Sequence, residues 1–248
     1  MRVPCYKSSS QRGFSLIELM VVLLLLSVLM GAVLHQISQV QARVNTEQSR
    51  ADIFQESREF VDQLSRDLNQ AGYSNVRNWS SGVLTTPVIN DSRNAVGLVK
   101  VGVDEIRFEG DVDGDGTVDS VVYSLTSTGT GCPCLQRSQQ TKLAANPLTG
   151  QGTPTFTGTS VQGVQNGTTA DPIFHAYKTD GTEVTLPVDI NSNASALSQI
   201  AAIGVSLTVQ APNRDVQTGL QPQTNVRSTV FLGNCSGATT GSYPTTCQ

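Results

Sequence analysis

Charged and aromatic residues are scarce in this chain. Of its 248 residues, 15% are charged and 5% are aromatic, and the two histidines are His35 and His175. So few imidazole groups provide little material for a zinc site or for a histidine general base. The 16 basic residues are outnumbered by 20 acidic ones, and this balance disfavours tight binding to DNA, which requires clustered lysine and arginine.

Sequence motifs of catalysis are also missing. There is no glycine loop with its phosphate-binding lysine and no metalloprotease helix, and His175 falls in a predicted strand without a nucleophile motif nearby. The sequence therefore predicts a protein that is not an enzyme and that has no specific nucleic-acid partner.

One long apolar run is present, close to the N-terminus. Residues 14–34 comprise 21 residues with a single charge, Glu18, and a helix of this length crosses the core of a bilayer. A carboxylate inside a membrane costs on the order of 3 kcal/mol, so a partner is expected for it. A secretory signal peptide is excluded because its cleavage site follows the apolar region, whereas here Gly13 precedes it. An ordinary membrane anchor does not explain Glu18.

Residues 13–18, Gly-Phe-Ser-Leu-Ile-Glu, together with the short basic leader and the apolar run, resemble the signature of type IV prepilins with a class III leader. This family comprises the subunits of type IV pili and the pseudopilins of type II secretion systems. The resemblance implies that a prepilin peptidase removes residues 1–13 and that Phe14 becomes the N-methylated first residue. It also implies that Glu18 stays ionised by pairing with the amine of a neighbouring subunit. Removal of the leader leaves 13 of the 16 basic residues against 20 acidic ones, a net charge of about −7.

Apolar residues continue beyond the membrane at spacings of three, four and seven, which predicts an amphipathic helix. These residues are Ile37, Val40, Val44, Ala51, Phe54, Val61, Leu64, Leu68 and Ala71. The charged residues between them predict a solvated face: Arg43, Glu47, Arg50, Asp52, Glu56, Arg58, Asp62, Arg66 and Asp67. We therefore expect one helix over residues 14–71, of which about 14–36 lie in the membrane, with Gly72 as its C-terminal cap.

The end of this predicted helix, residues 64–73, is similar to that of W-type minor pilins and J-type pseudopilins, which closes with Ala-Gly-Tyr. The chain without its leader retains 235 of the 248 residues, a length that favours a minor subunit over a major pilin. The resemblance implies a pilin-like α+β fold, in which the long N-terminal helix packs on a mostly antiparallel β-sheet.

Residues 72–248 are expected to form a globular, β-rich periplasmic or extracellular domain with one sheet. Short β-rich runs separated by turn-forming residues predict its strands. They cover residues 83–84, 105–109, 118–125, 135–137, 173–178, 200–209 and 226–232. In the run 203–209, apolar residues alternate with small or polar ones, as in a half-buried strand. Residues 144–170, rich in threonine, glycine and glutamine, are predicted to form a long exposed loop.

Residues 111–119, Asp-Val-Asp-Gly-Asp-Gly-Thr-Val-Asp, carry carboxylates at alternate positions and resemble a calcium loop of the EF-hand type. The expected Ca²⁺ ligands are Asp111, Asp113, Asp115 and Asp119, with the backbone carbonyl of Thr117. The match is incomplete, because Val122 stands where an EF-hand has a bidentate glutamate and because the flanking segments are predicted strands. A solvated acidic turn is the alternative.

Cysteine usage indicates an oxidising compartment. Cys5 lies in the leader, and four cysteines remain, Cys132, Cys134, Cys235 and Cys247. They are candidates for two structural disulfides, and the sequence does not choose among the three pairings.

These features together predict a minor pilin that assembles or initiates a type IV pilus, near the tip of the fibre. The alternatives are a pseudopilin of a type II secretion system and a tip module for adhesion or DNA uptake. The expected partners are other major and minor pilins, the prepilin peptidase, the inner-membrane assembly platform and the membrane itself. The chain is expected in the inner membrane as a single-pass prepilin with its C-terminal domain in the periplasm, and afterwards in the pilus at the cell surface.

Overall fold

The computed structural model of the chain describes Gly13 and residues 15–73, 88–129, 131–156, 160–215 and 218–233. A long helix, α1 (Leu16–Asn69), is followed by nine strands, a 3₁₀ turn (Pro147–Thr149) and a short helix, α2 (Ala194–Leu197). The strands are β1 (Leu98–Val101), β2 (Glu105–Gly110), β3 (Asp119–Thr126), β4 (Cys134–Thr141), β5 (Ser160–Gln162), β6 (Phe174–Lys178), β7 (Val188–Asp189), β8 (Ile200–Gln210) and β9 (Gln223–Phe231). The architecture is α+β, with α1 packed on antiparallel sheets, as predicted.

The 54 residues of α1 form one helix, about 80 Å long at 1.5 Å per residue. The helix ends at Asn69, and Gly72 follows with a φ of 78°, a conformation that glycine adopts without steric cost. The Gly72 N–H donates to the Glu109 carbonyl at 2.9 Å. The end of the helix is therefore attached directly to β2.

Only the last third of α1 packs on the β domain. Its buried residues are Ile53, Ser57, Phe60, Val61, Leu64, Asp67 and Leu68. The prediction of a continuous buried stripe is thus wrong for Ile37, Val40, Val44, Ala51 and Phe54, all of which are exposed. The sheets contact α1 from Ile53 onward, so the four apolar residues before Ile53 have no described element to pack against. Phe54 lies beyond this point but is still 44% exposed.

The strands form two sheets, so the expectation of a single sheet is wrong. The larger sheet has the order β5-β4-β3-β2-β1-β7 and the smaller one the order β6-β8-β9. Every pairing between the strands is antiparallel. One hydrophobic core joins residues from α1 and both sheets, including Phe60, Phe108 and Ile203.

Six of the predicted strands correspond to β2, β3, β4, β6, β8 and β9. The expectation that residues 203–209 form a half-buried strand is wrong, because Gly204 and Ser206 are buried as well as Ile203, Val205, Leu207 and Val209. This central strand of the smaller sheet is covered on both faces over residues 202–207. The predicted strand at 83–84 lies outside the described residues. Strands β1, β5 and β7 were not predicted, because two to four residues are too few to show a period.

The expectation that residues 144–170 form an exposed loop is wrong. This segment contains the 3₁₀ turn and β5, and it buries Pro147, Gln151, Val161, Val164 and Asn166. The polar members are buried because they have partners: Gln151 Nε2 donates to the Ser138 carbonyl at 3.1 Å, and Asn166 Nδ2 donates to the Ser206 carbonyl at 2.6 Å. Hydrogen bonds of this kind allow a segment of polar composition to join a core.

Candidate functional site

The N-terminal part of α1 contains no buried residue. The most apolar 18-residue window of the helix has a mean hydropathy of 2.7, and none of that window is buried. The helix is therefore long and apolar enough to cross a membrane. Glu18 lies in its first turn, and its N–H donates to the Ser15 carbonyl at 3.0 Å. Gly13 is exposed, and Phe14 lies outside the described residues.

The acidic segment forms the connection between β2 and β3, as predicted. Carboxylate oxygens of Asp111, Asp113 and Asp115 lie within 4.8 Å of one another. Asp111 is buried, and its two carboxylate oxygens accept hydrogen bonds from Gly114 N at 2.9 Å and from Gly116 N at 3.1 Å. Both glycines have positive φ, so the backbone curves around the Asp111 side chain. We call residues 111–119 the acidic loop.

Two other predicted ligands lie at the end of the acidic loop. The Thr117 hydroxyl donates to Asp115 Oδ1 at 2.6 Å. Asp119 begins β3, is 4% exposed and lies outside the group of three close carboxylates. Burial, together with the negative charge of Asp113, raises the pKa of Asp119 to about 6. The loop thus concentrates negative charge that a cation could offset.

Gln139 belongs to this site, although the sequence does not reveal it. Its Nε2 donates to Asp119 Oδ2 at 2.8 Å and to Asp113 Oδ2 at 3.0 Å. The pairing of β3 with β4 places Gln139 opposite Val121, 20 positions along the chain from Asp119. Nothing in the local sequence marks a glutamine in a strand for such a role. The register of β4 against β3 brings Gln139 to the loop.

A second polar cluster connects the acidic loop to α1. Arg137 donates from one terminal nitrogen to Gln139 Oε1 at 2.8 Å and from Nε to Asp67 Oδ2 at 2.6 Å. The Tyr123 hydroxyl also donates to Asp67 Oδ2, at 2.7 Å. Asp67 is 2% exposed, so its assignment to the solvated face of α1 is wrong. Gln63 Nε2 donates to the other carboxylate oxygen, Asp67 Oδ1, at 2.7 Å. These three donors compensate for the loss of water around the carboxylate.

A fully buried ion pair connects Glu109 of β2 with Lys142, which follows β4. Lys142 Nζ donates to Glu109 Oε2 at 2.7 Å and to the carbonyls of Ile89 and Asn94 at 2.7 and 2.8 Å. Both side chains of the pair are 0% exposed, and burial raises the pKa of Glu109 while it lowers that of Lys142. The pair joins β2 to the segment that precedes β1.

The structure joins Cys132 and Cys134 in a disulfide. Cys134 is 2% exposed, whereas Cys132 is only partly buried. The other two candidates, Cys235 and Cys247, lie outside the described residues. The bridge closes a short loop that precedes β4, beside residues 49–56 of α1.

A family model described as the prokaryotic N-terminal methylation motif matches residues 8–34. Comparison with curated proteins and with solved structures finds no match. The matched segment contains Gly13, Phe14 and Glu18, and it overlaps the exposed, apolar half of α1. The motif and the long helix that follows it support a type IV prepilin-like protein, anchored in the membrane by a single pass.

Proposed function

We propose that this chain is a minor pilin that initiates or assembles a type IV pilus and that takes a position near the tip of the fibre. The observation that supports the proposal is that the two parts of α1 have different surroundings. Its residues up to position 52 are exposed or only partly buried, whereas from Ile53 it is anchored in the β domain. A rigid helix with an uncovered apolar surface is suited to leave the bilayer and to pack among other subunits. Prepilin-like proteins are generally structural, which agrees with this role.

Glu18 is proposed to pair with the N-terminal amine of a neighbouring subunit after a prepilin peptidase removes residues 1–13 and Phe14 is methylated. The periplasm before assembly, and the pilus afterwards, are the proposed locations of the β domain. Major and minor pilins and the inner-membrane assembly platform are the proposed partners.

Deletion of the gene, followed by counting of surface pili, tests this proposal. We expect few or no pili, restored by the wild-type gene and not by Glu18→Leu. The matched control Glu47→Leu, also an exposed helical glutamate, is expected to restore them. Normal pili combined with a loss of protein secretion would instead indicate a pseudopilin, and normal pili that fail to attach would indicate an adhesive tip module.

We also propose that the acidic loop binds Ca²⁺ as a structural ion. Each of Asp111, Asp113, Asp115 and Asp119 offers carboxylate oxygen atoms as metal ligands, and oxygen atoms are the ligands that calcium prefers. The close approach of three carboxylates and the raised pKa of Asp119 support the proposal, because an ion of opposite charge would remove their mutual repulsion. Bound calcium would hold the end of β2 to the start of β3.

Isothermal titration of the full-length protein in detergent micelles measures calcium binding directly. We expect heat of binding at millimolar Ca²⁺ or below, lost in Asp113→Ala/Asp115→Ala. The matched control is Asp180→Ala, which removes an exposed aspartate from another turn. Absence of binding heat in the wild-type protein would refute the calcium proposal without affecting the proposal of a minor pilin.

A further inference from the structure

A pocket lies between α1 and the β domain, at the point where the helix leaves the domain. Its volume is about 460 Å³. One wall is formed by residues 49–56 of α1, and the opposite wall by the disulfide loop at Cys132, by β5 and by the turn between β8 and β9. We call this cavity the α1 pocket.

The ionisable side chains that line the α1 pocket are both acidic, Asp52 and Glu56. They are four positions apart and therefore share one face of the helix. Two like charges in this arrangement repel each other and destabilise an isolated helix. Neither carboxylate forms an ion pair with another residue in the described part of the chain. Two other exposed acidic residues nearby differ, because Glu47 pairs with Arg50 and Glu59 accepts from Gln55.

The remaining walls can orient a ligand without neutralising the two carboxylates. Gln210, Asn213 and Gln221 are among the residues that line them, and their side-chain amides both donate and accept hydrogen bonds. The Gln221 amide nitrogen already donates to the Pro212 carbonyl at 3.2 Å. The backbone N–H of Gln162 donates to Glu56, although burial of the Glu56 carboxyl group has the larger effect and raises its pKa. A cavity lined by two carboxylates that form no ion pair, and by residues with amide side chains, is complementary to a cationic group.

We propose that the α1 pocket receives a lysine or arginine side chain of a neighbouring pilin subunit. This inference rests on the proposed function, because it requires that other subunits pack along α1. Charge complementarity selects the occupant: a cationic head group reaches both Asp52 and Glu56, while its aliphatic stem fits beside Ile53, which also lines the pocket. The pocket would thereby determine how this subunit is oriented against its neighbour.

Photo-crosslinking in intact cells tests the inference with the full-length chain. Ser49, which lines the α1 pocket, is replaced by p-benzoylphenylalanine, and exposed Gln48 is replaced in the same way as a positional control. We expect Ser49→p-benzoylphenylalanine to crosslink to another pilin subunit, within a few residues of a lysine or arginine.

The neutral variant Asp52→Asn/Glu56→Gln in the Ser49 background should lower the crosslinking yield at least tenfold, about the effect of losing one charge-assisted hydrogen bond. The matched control Glu47→Gln/Glu59→Gln removes two other helical carboxylates and should leave the yield unchanged. The charge reversal Asp52→Lys/Glu56→Lys should abolish crosslinking, and replacement of the crosslinked basic residue by glutamate should restore it. Together, these results would be explained by a cation in the pocket and would not be explained by correct folding of the helix alone.

Three outcomes would overturn the inference. They are an unchanged yield in the neutral variant, a crosslinked segment without a basic residue, and no crosslink although the protein is present in purified pili. In all three the proposed function stands. Absence of the protein from pili, together with normal piliation in the deletion strain, would overturn both the proposed function and the inference that rests on it.

Discussion

The buried pair of Glu109 and Lys142 provides the sharpest prediction about stability. Replacement of Lys142 by methionine keeps most of the side-chain volume but removes the ammonium group. Glu109 is then left at 0% exposure with one remaining donor, the Val96 N–H at 3.1 Å. Removal of one partner from a buried pair costs about 3–5 kcal/mol. For a chain of this size, that corresponds to a fall in melting temperature on the order of 10 °C.

The pH dependence of this loss follows from the pKa of Glu109. Burial raises that pKa in the folded protein, and loss of the ammonium group raises it further. A carboxyl group whose folded pKa is raised destabilises the fold at pH values above its unfolded pKa, and the penalty is lost as the pH falls to that ordinary value. We therefore expect the deficit of Lys142→Met to be greatest at pH 7 and to shrink as the pH falls toward the ordinary pKa of glutamate.

Thermal unfolding of the full-length protein in detergent, followed by circular dichroism, is the assay. Lys142→Met/Glu109→Leu should recover most of the lost stability, because it leaves no buried charge without a partner. The matched control Lys178→Met changes a partly exposed lysine of β6 and should cost less than about 0.5 kcal/mol. A double variant as unstable as Lys142→Met alone would refute the argument from an unpaired charge.

Three further predictions concern the polar clusters and the end of α1. Asp67→Asn should cost about 1–3 kcal/mol in the free energy of unfolding, measured by urea denaturation, because Arg137 loses a charged acceptor. In calcium-free protein, the carboxyl resonance of Asp119 should titrate with a midpoint near the value of about 6 set by burial. Saturating Ca²⁺ should lower this midpoint, and an unshifted titration would contradict calcium contact. Gly110→Ala should destabilise the domain, because the added Cβ would clash with the Gln70 carbonyl oxygen; unchanged thermal unfolding would contradict this expectation.

Features that depend on a few adjacent residues could be predicted from the sequence. The apolar run after Gly13 predicts the exposed N-terminal half of α1, and the alternating aspartates predict the connection between β2 and β3. The apolar residues Val61, Leu64 and Leu68 were correctly assigned to the buried face. Each of these patterns lies within one element, so it is visible in the local sequence whatever that element packs against.

The burial of polar residues could not be predicted in this way. Asp67 has the charge of a surface residue, and its burial depends on Arg137, which lies 70 positions away along the chain. Gln139 reaches Asp119 only because β3 and β4 pair in one particular register. A shift of one residue in that register would direct the Gln139 side chain to the opposite face of the sheet.

The sequence alone determined the prepilin-like N-terminus, the long helix, the β-rich domain and the acidic loop, because hydrophobic period, chain length and residue spacing are local quantities. The tertiary structure decided that the strands divide into two sheets, that residues 144–170 belong to the folded domain, and that Glu109 and Lys142 form a buried pair. It also created the α1 pocket, whose walls come from segments far apart in the chain. Such arrangements depend on which surfaces meet, and packing and strand pairing determine that only when the whole domain folds.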